Sequence, residues 1–432
     1  MRLIKTLCAV FAVSTATFAQ EGPTPWAQDI DAFMAVLKAE HENPYFHTSI
    51  EDFDAAIANY KAALPQMTHA ERIAGFARIV ALVGDGHTWL PMYRLPFDGL
   101  PPGPMFKNLP LRFELFDDGL FIVGATEQYQ SLLGSRVLRF GLTPTENAIA
   151  RTMDLLPSDA TNFSKEFVAE WLSKHDLLQA LKLTKTNTLS LTISRSGEHK
   201  QITNIGPVEG SGEIDWIFSM DTGPSDIPNW KVATQNHPFW LAPIEGLSKV
   251  SELDGATYFQ LSQIRNSPNR SFAEQAQQVL STAASSNNPA LVLDLRRCMG
   301  GNGQLNQSLI DAIRAQPEIN QRGRLIVLTG RATHSAAIML VSALEAQTEA
   351  VFVGQPTADR PNHHGETNIF VTPNTGLPIV HASEYYQTSS ASDQRLFREP
   401  DIFVPYTSQD YLSGEDSVLA AALEQIRKAP RP

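Results

Sequence analysis

Cysteine is almost missing from this chain: its 432 residues include two, Cys8 and Cys298. Cys8 lies in an N-terminal apolar run that reads as a removable segment, so Cys298 is left without an intrachain partner and a disulfide framework is excluded. Stability must then come from packing, and a chain of this length usually divides it among two or three domains. Lys/Arg clusters are also missing, and the formal net charge is −12. That combination argues against nucleic acid or an anionic membrane as a partner. Beyond the N-terminus no apolar stretch approaches the roughly 20 residues that a membrane span requires. No His-Glu-x-x-His pattern occurs, so a metalloprotease-type zinc site is not expected.

The N-terminus has the features of an export signal. Two basic residues, Arg2 and Lys5, precede an apolar run from Thr6 to Phe18, with small residues at Thr17 and Ala19. Residues 1–19 are therefore expected to be a secretory signal peptide cleaved after Ala19, leaving an exported, periplasmic or secreted protein.

Residues 20–95 read as a helical region: Ile30, Phe33, Met34, Val36 and Leu37 recur at helical spacing, as do Phe53, Ala56, Ile57 and Tyr60. A Pro/Gly-rich stretch around 91–107 breaks this region from the next. Residues 96–210 alternate short strands with helices and form a small mixed α/β unit, loosely similar to a PDZ module. From 211 to 432, apolar strand runs separated by helices indicate an α/β core.

The chemistry-bearing residues lie in four segments. In the first, the strand-like Leu325–Thr329 leads through Thr333-His334-Ser335 into an apolar helix. Ser335 thus sits where a strand becomes a helix, beside unsatisfied backbone N–H groups, as an acyl-transfer nucleophile would. The competing reading is that Ser335 or Thr333 merely caps the helix. In the second, Leu291–Asp294 runs into Arg296 and the Gly300-Gly301 turn, whose glycines permit close backbone approach and can aim N–H donors. An Asp294–Arg296 pair fixing a tight turn is the compatible structural reading. The third, Gly84-Asp85-Gly86-His87-Thr88, holds an imidazole on tightly bent backbone, and histidine is the natural base for a serine hydroxyl. A histidine in a turn can equally be a surface or packing residue. In the fourth, Arg360, His363, His364 and Glu366 occupy a polar loop after a strand. Their spacing does not suit a metal site, and Arg360, His363 and His364 are read as substrate-loop residues or a solvated turn.

Taken in order, Gly84–Thr88, Asp294-Leu295-Arg296 with Gly300-Gly301, Thr333–Ala337, Val353–Thr357 and Glu399–Ile402 resemble the tail-specific protease family, relatives of the carboxy-terminal processing peptidases and the tricorn core. The resemblance implies a ClpP/crotonase-like α/β core. It implies Ser335 as nucleophile, with oxyanion N–H groups from Gly300 or Gly301 and from Ala336. The processing-peptidase branch uses a lysine base in the loop after the serine. Here that loop offers Arg360, which stays protonated and cannot serve. The chain is therefore similar to the tricorn-like branch, which implies His87 as base and a supporting carboxylate near the C-terminal Pro-Asp motif, Asp393 first, with Glu384 and Glu399 as rivals. Cys298 stands where the family usually has Asn. The expected protein is a serine peptidase acting on peptides or proteins, without metal or cofactor. The alternatives are a catalytically inactive peptide- or ligand-binding member of the same fold family and a crotonase-type enzyme handling a coenzyme A thioester.

Overall fold

The computed structural model describes residues 23–92, 100, 106–208, 230–234, 236–253 and 255–430. The expected signal peptide and most of the Pro/Gly-rich stretch lie outside the described residues.

The apolar runs of the C-terminal half build its central sheet. Leu291–Asp294, Leu325–Thr329 and Val351–Gly354 are buried along their whole length, and strands buried on both faces need cover on both sides. The six-stranded sheet has the order Ile402–Phe403, Val351–Gly354, Leu325–Thr329, Leu291–Asp294, Ala256–Leu261, Ser248–Leu253. Its pairings are parallel except the last, where Ser248–Leu253 runs antiparallel to Ala256–Leu261. Helices Phe272–Ala284, Asn306–Arg314 and Ala336–Gln347 supply one apolar layer, and Ser417–Lys428 supplies the other. The mixed α/β class expected from strand–helix alternation is the class observed.

The N-terminal helices span Pro23–Glu40, Ile50–Ala63 and His69–Ala81. Thr68 and Glu71 form a capping box that fixes the start of the third. The following strands, Leu111–Phe116, Gly119–Thr126, Arg136–Phe140, Leu189–Arg195 and Glu198–Ile205, join one antiparallel sheet. One hydrophobic cluster contains Trp26, Phe76, Phe113, Trp171 and Ile205. Packing is thus continuous across the boundary expected near residue 95.

Where the sequence suggested a polar loop, His363–Val371 forms a hairpin with Pro378–Tyr386. Ile379 and Val380 join the N-terminal cluster, and Trp89 and Val380 exchange backbone hydrogen bonds of 3.0 Å. Burial of alternate residues on a distant core decides this pairing, which local polarity could not reveal. The hairpin therefore ties the His87 segment to the loops at the C-terminal ends of the central strands. Among the described residues no helix is long and apolar enough to cross a membrane.

Candidate active site

Ser335 immediately precedes the Ala336–Gln347 helix, at φ 56° and ψ −125°. A non-glycine residue in that region is strained and persists only where its surroundings hold it. Those surroundings are visible. Thr333 Oγ1 donates to the Leu295 carbonyl at 2.9 Å and accepts from the Gly330 N–H at 3.0 Å. The His334 N–H donates to the Cys298 carbonyl at 3.1 Å. Arg331 pairs with Glu114 at 2.8 Å and Glu166 at 2.6 Å, anchoring the same loop to the N-terminal half. The Ser335 side chain makes no capping hydrogen bond, so the capping explanation fails and its hydroxyl is left for other work.

The glycine turn lies against this serine. Gly300 has φ 110°, and a Cβ there would stand 2.6 Å from Ser335 Cβ and 3.0 Å from its Oγ. Only glycine permits that approach. Gly301, at φ 130°, packs on the Ile264 backbone. Cys298, two residues before Gly300, is buried, and burial pushes its thiol up to about 12. Gly300 contributes space, and among the described residues no backbone acceptor in the turn takes the N–H groups of Gly300, Gly301 or Ala336. Ser335, Ala336, Gly300, Gly301, His363 and Tyr386 line a cleft of about 670 Å³.

The Gly84–Thr88 motif has a reason at each position. Gly84, at φ 93°, makes a turn in which a Cβ would strike the His47 ring. Asp85 accepts the His87 N–H at 2.8 Å and meets His41 Nε2 at 3.0 Å, so it holds the turn closed. Gly86 leaves room for a carboxylate: a Cβ there would lie 2.6 Å from Asp359 Oδ1. Thr88 Oγ1 accepts the Ala382 N–H at 3.0 Å and fixes the motif to the hairpin.

His87 enters a buried cluster. Its ring stacks on His334 with centroids 4.3 Å apart and lies 5.6 Å from His363, while His334 stacks on Phe163 at 4.0 Å. Asp359 Oδ2 is 3.8 Å from His87 Nδ1 and 2.9 Å from His334 Nε2. The latter is ion-pair range but lacks the alignment of a hydrogen bond, because neither atom has a hydrogen-bond partner. Both ring nitrogens of His87 are likewise unpartnered. Burial, reinforced by neighbouring His334, holds His87 well below the usual imidazole range, with Asp359 opposing. Burial alone would raise Asp359, but His334, His87 and His363 outweigh it and hold the carboxyl well below its ordinary range. The result is a neutral imidazole beside a carboxylate.

The structure gathers some of the expected site residues and separates others. Ser335, Ala336, Gly300, Gly301 and His363 share the cleft. His87 lies behind His363 and makes no hydrogen bond through its ring. Asp393 is not the carboxylate beside the histidines: both of its oxygens are taken by Arg395, which also grips Glu345. Arg360 pairs with Asp159, away from the cleft. His364 faces the N-terminal helices, its ring 4.6 Å from Phe46 and 4.8 Å from His41. Alternation along a strand explains the split, since neighbours His363 and His364 project to opposite faces. Two residues escaped the sequence reading. Asp359 and His334 both stood inside the recognised segments, and a carboxylate next to a candidate loop was the available signal.

No family model and no curated protein matches the sequence. Solved structures do. A CPAF point mutant superimposes with a TM-score of 0.64 at 12% identity, covering 95% of this chain and 99% of that one. Mature CPAF complexed with lactacystin gives 0.62 at 13% identity, covering 94% and 99%. The chain has the CPAF fold. The likeness spans both halves, so the arrangement of N-terminal helices, antiparallel sheet and central parallel sheet is shared as a whole.

Proposed function

We propose that this protein is an exported serine peptidase, with Ser335 as nucleophile, His87 as general base and Asp359 as the carboxylate that orients His87. The observation that carries the reading is the strained, uncapped Ser335 with the Gly300 backbone pressed against it. In this scheme Ser335 Oγ attacks the substrate carbonyl while its proton passes to His87 Nε2. The N–H groups of Gly300 or Gly301 and of Ala336 take the oxyanion, His87 protonates the leaving amine, and water reverses the sequence at the acyl-enzyme. Asp359 near Nδ1 directs the proton-accepting nitrogen the other way. Catalytic hydrogen bonds are often long or absent without substrate, and this accommodates the missing Ser335–His87 bond.

His363 supports a second assignment of the base. Its Nδ1 contacts the Pro361 carbonyl at 3.1 Å, which places the proton on that nitrogen and leaves Nε2 bare, and its ring lines the cleft. Fluorophosphonate labelling with mapping of the adduct tests the whole reading. An adduct on Ser335 that is lost in His87→Ala and kept in His363→Ala is expected; the reverse pattern transfers the base to His363. Folded mature protein that takes no label supports the inactive binder instead. Cleavage of a peptide library with free and amidated carboxyl termini then separates endopeptidase from carboxy-terminal specificity. The export part rests on Met1–Ala19, and recovery of residues 1–19 on cytoplasmic protein from the native host overturns it.

A further inference from the structure

The histidine–carboxylate cluster has more ligand atoms than a catalytic pair needs. His87, His334 and Asp359 each present one atom, all within 4.8 Å of one another. The three residues are 3%, 6% and 2% exposed. His87 Nδ1 and Nε2, His334 Nε2 and Asp359 Oδ2 have no hydrogen-bond partner. Buried polar atoms are normally satisfied, and these four make no hydrogen bond, although His334 Nε2 and Asp359 Oδ2 face each other at 2.9 Å. Two imidazoles and one carboxylate are a ligand set for a borderline divalent ion, with a fourth position open.

We propose that His87, His334 and Asp359 form a reversible inhibitory site for Zn²⁺. In tetrahedral coordination with bonds near 2.0–2.1 Å, ligand atoms stand about 3.4 Å apart, so binding must open the 2.9 Å contact between His334 and Asp359 slightly and draw His87 toward the other two. The stacked rings of His87 and His334 must splay, because each nitrogen directs its lone pair in the ring plane. Coordination to His87 removes the base whichever nitrogen is used. A metal on Nε2 occupies the proton-accepting atom, and a metal on Nδ1 forces the remaining ring proton onto Nε2. The ion is an inhibitor here, so peptide cleavage itself remains metal-free.

The inhibitory part rests on His87 as base; the binding part does not. Calorimetric titration of ZnCl₂ into chelator-treated mature protein is expected to show one site per chain. Binding should weaken at least tenfold in His334→Phe, which keeps a ring against Phe163, and in Asp359→Asn, which serves if the first variant fails to fold. Ser335→Ala should bind zinc as the wild type does. Zinc should also slow fluorophosphonate labelling of the wild type, and EDTA should restore it. Absence of a stoichiometric site, or affinity unchanged in both ligand variants, overturns the metal site. Binding that leaves the labelling rate unchanged overturns the inhibition. A wild type that never labels defeats the peptidase reading while the titration still decides the site.

Discussion

Two buried charged clusters sit at the ends of the central strands, and they differ in how completely they are satisfied. In the first, Arg296 makes paired contacts to Asp294, 2.6 Å at the shortest, and to Asp416 at 2.8 and 2.9 Å, while the Tyr258 hydroxyl donates to Asp294 at 2.6 Å. Burial would lower Arg296, but the two carboxylates outweigh it and lock the guanidinium charged. In the second, four atoms of Asp359 and two histidines make no hydrogen bond, although Asp359 and His334 lie in ion-pair range. A closed network holds a turn in one shape, whereas an open one is available to a proton, a substrate or an ion. The first cluster positions the glycine turn that touches Ser335; the second is the one to which the proposed function assigns the chemistry.

The largest expected effect is on Ser335. Ser335→Ala should abolish labelling while leaving the thermal midpoint near that of the wild type, because the side chain caps nothing and alanine relieves no lost bond. Undiminished peptidase activity in that folded variant sinks the assignment.

Swapping the damage between clusters sharpens the contrast. Arg296→Met leaves Asp294 and Asp416 buried without a counter-charge and should cost about 3–5 kcal/mol in urea unfolding. His87→Gln should cost far less stability yet reduce the labelling rate by about 10²–10⁴-fold. If Arg296→Met is nearly neutral and His87→Gln unfolds the protein, the division into structural and chemical clusters is wrong.

Acid should reach the second cluster first. His87 protonates well below 6.5 when folded and near 6.5 when unfolded. The unfolded chain therefore binds more protons between those values, so this contribution to stability is full above about 6.5 and is lost progressively as the pH falls below it. His363, lowered by burial, acts in the same sense, and His364, lowered by burial to about 4, extends the window downward. Unfolding free energy measured from pH 8 to 4 should decline below 6.5, less steeply in His87→Gln. The acid limb of the labelling rate should likewise fall below the ordinary imidazole range. A limb at or above 6.5 contradicts a neutral buried base.

Cys298 should show the smallest effect. Buried, with its thiol pushed up to about 12, it is expected to resist thiol reagents. Cys298→Ser should retain most labelling, and complete loss reopens the assignment of the nucleophile.

Much of the local structure was legible in the sequence. The Leu325–Thr329 strand appears over the predicted residues, and the apolar helix expected after Ser335 is observed as Ala336–Gln347. Apolar runs bounded by turn residues determine such elements through local burial. Gly300 could be read as a point of close approach and Gly84 and Gly86 as a tight bend, since a missing side chain records a constraint without naming what approaches. What approaches was decided by tertiary structure alone. Asp359, not Asp393, lies beside His87 because the loop after Val351–Gly354 passes under Gly86, whereas Asp393 is captured by Arg395 only two residues away. The stacking of His87 on His334 joins residues 247 positions apart through a hairpin packed on the N-terminal core. Sequence specifies which groups can carry charge or protons; their partners depend on long-range packing, which brings distant segments within a few ångströms and excludes the water that would otherwise satisfy them.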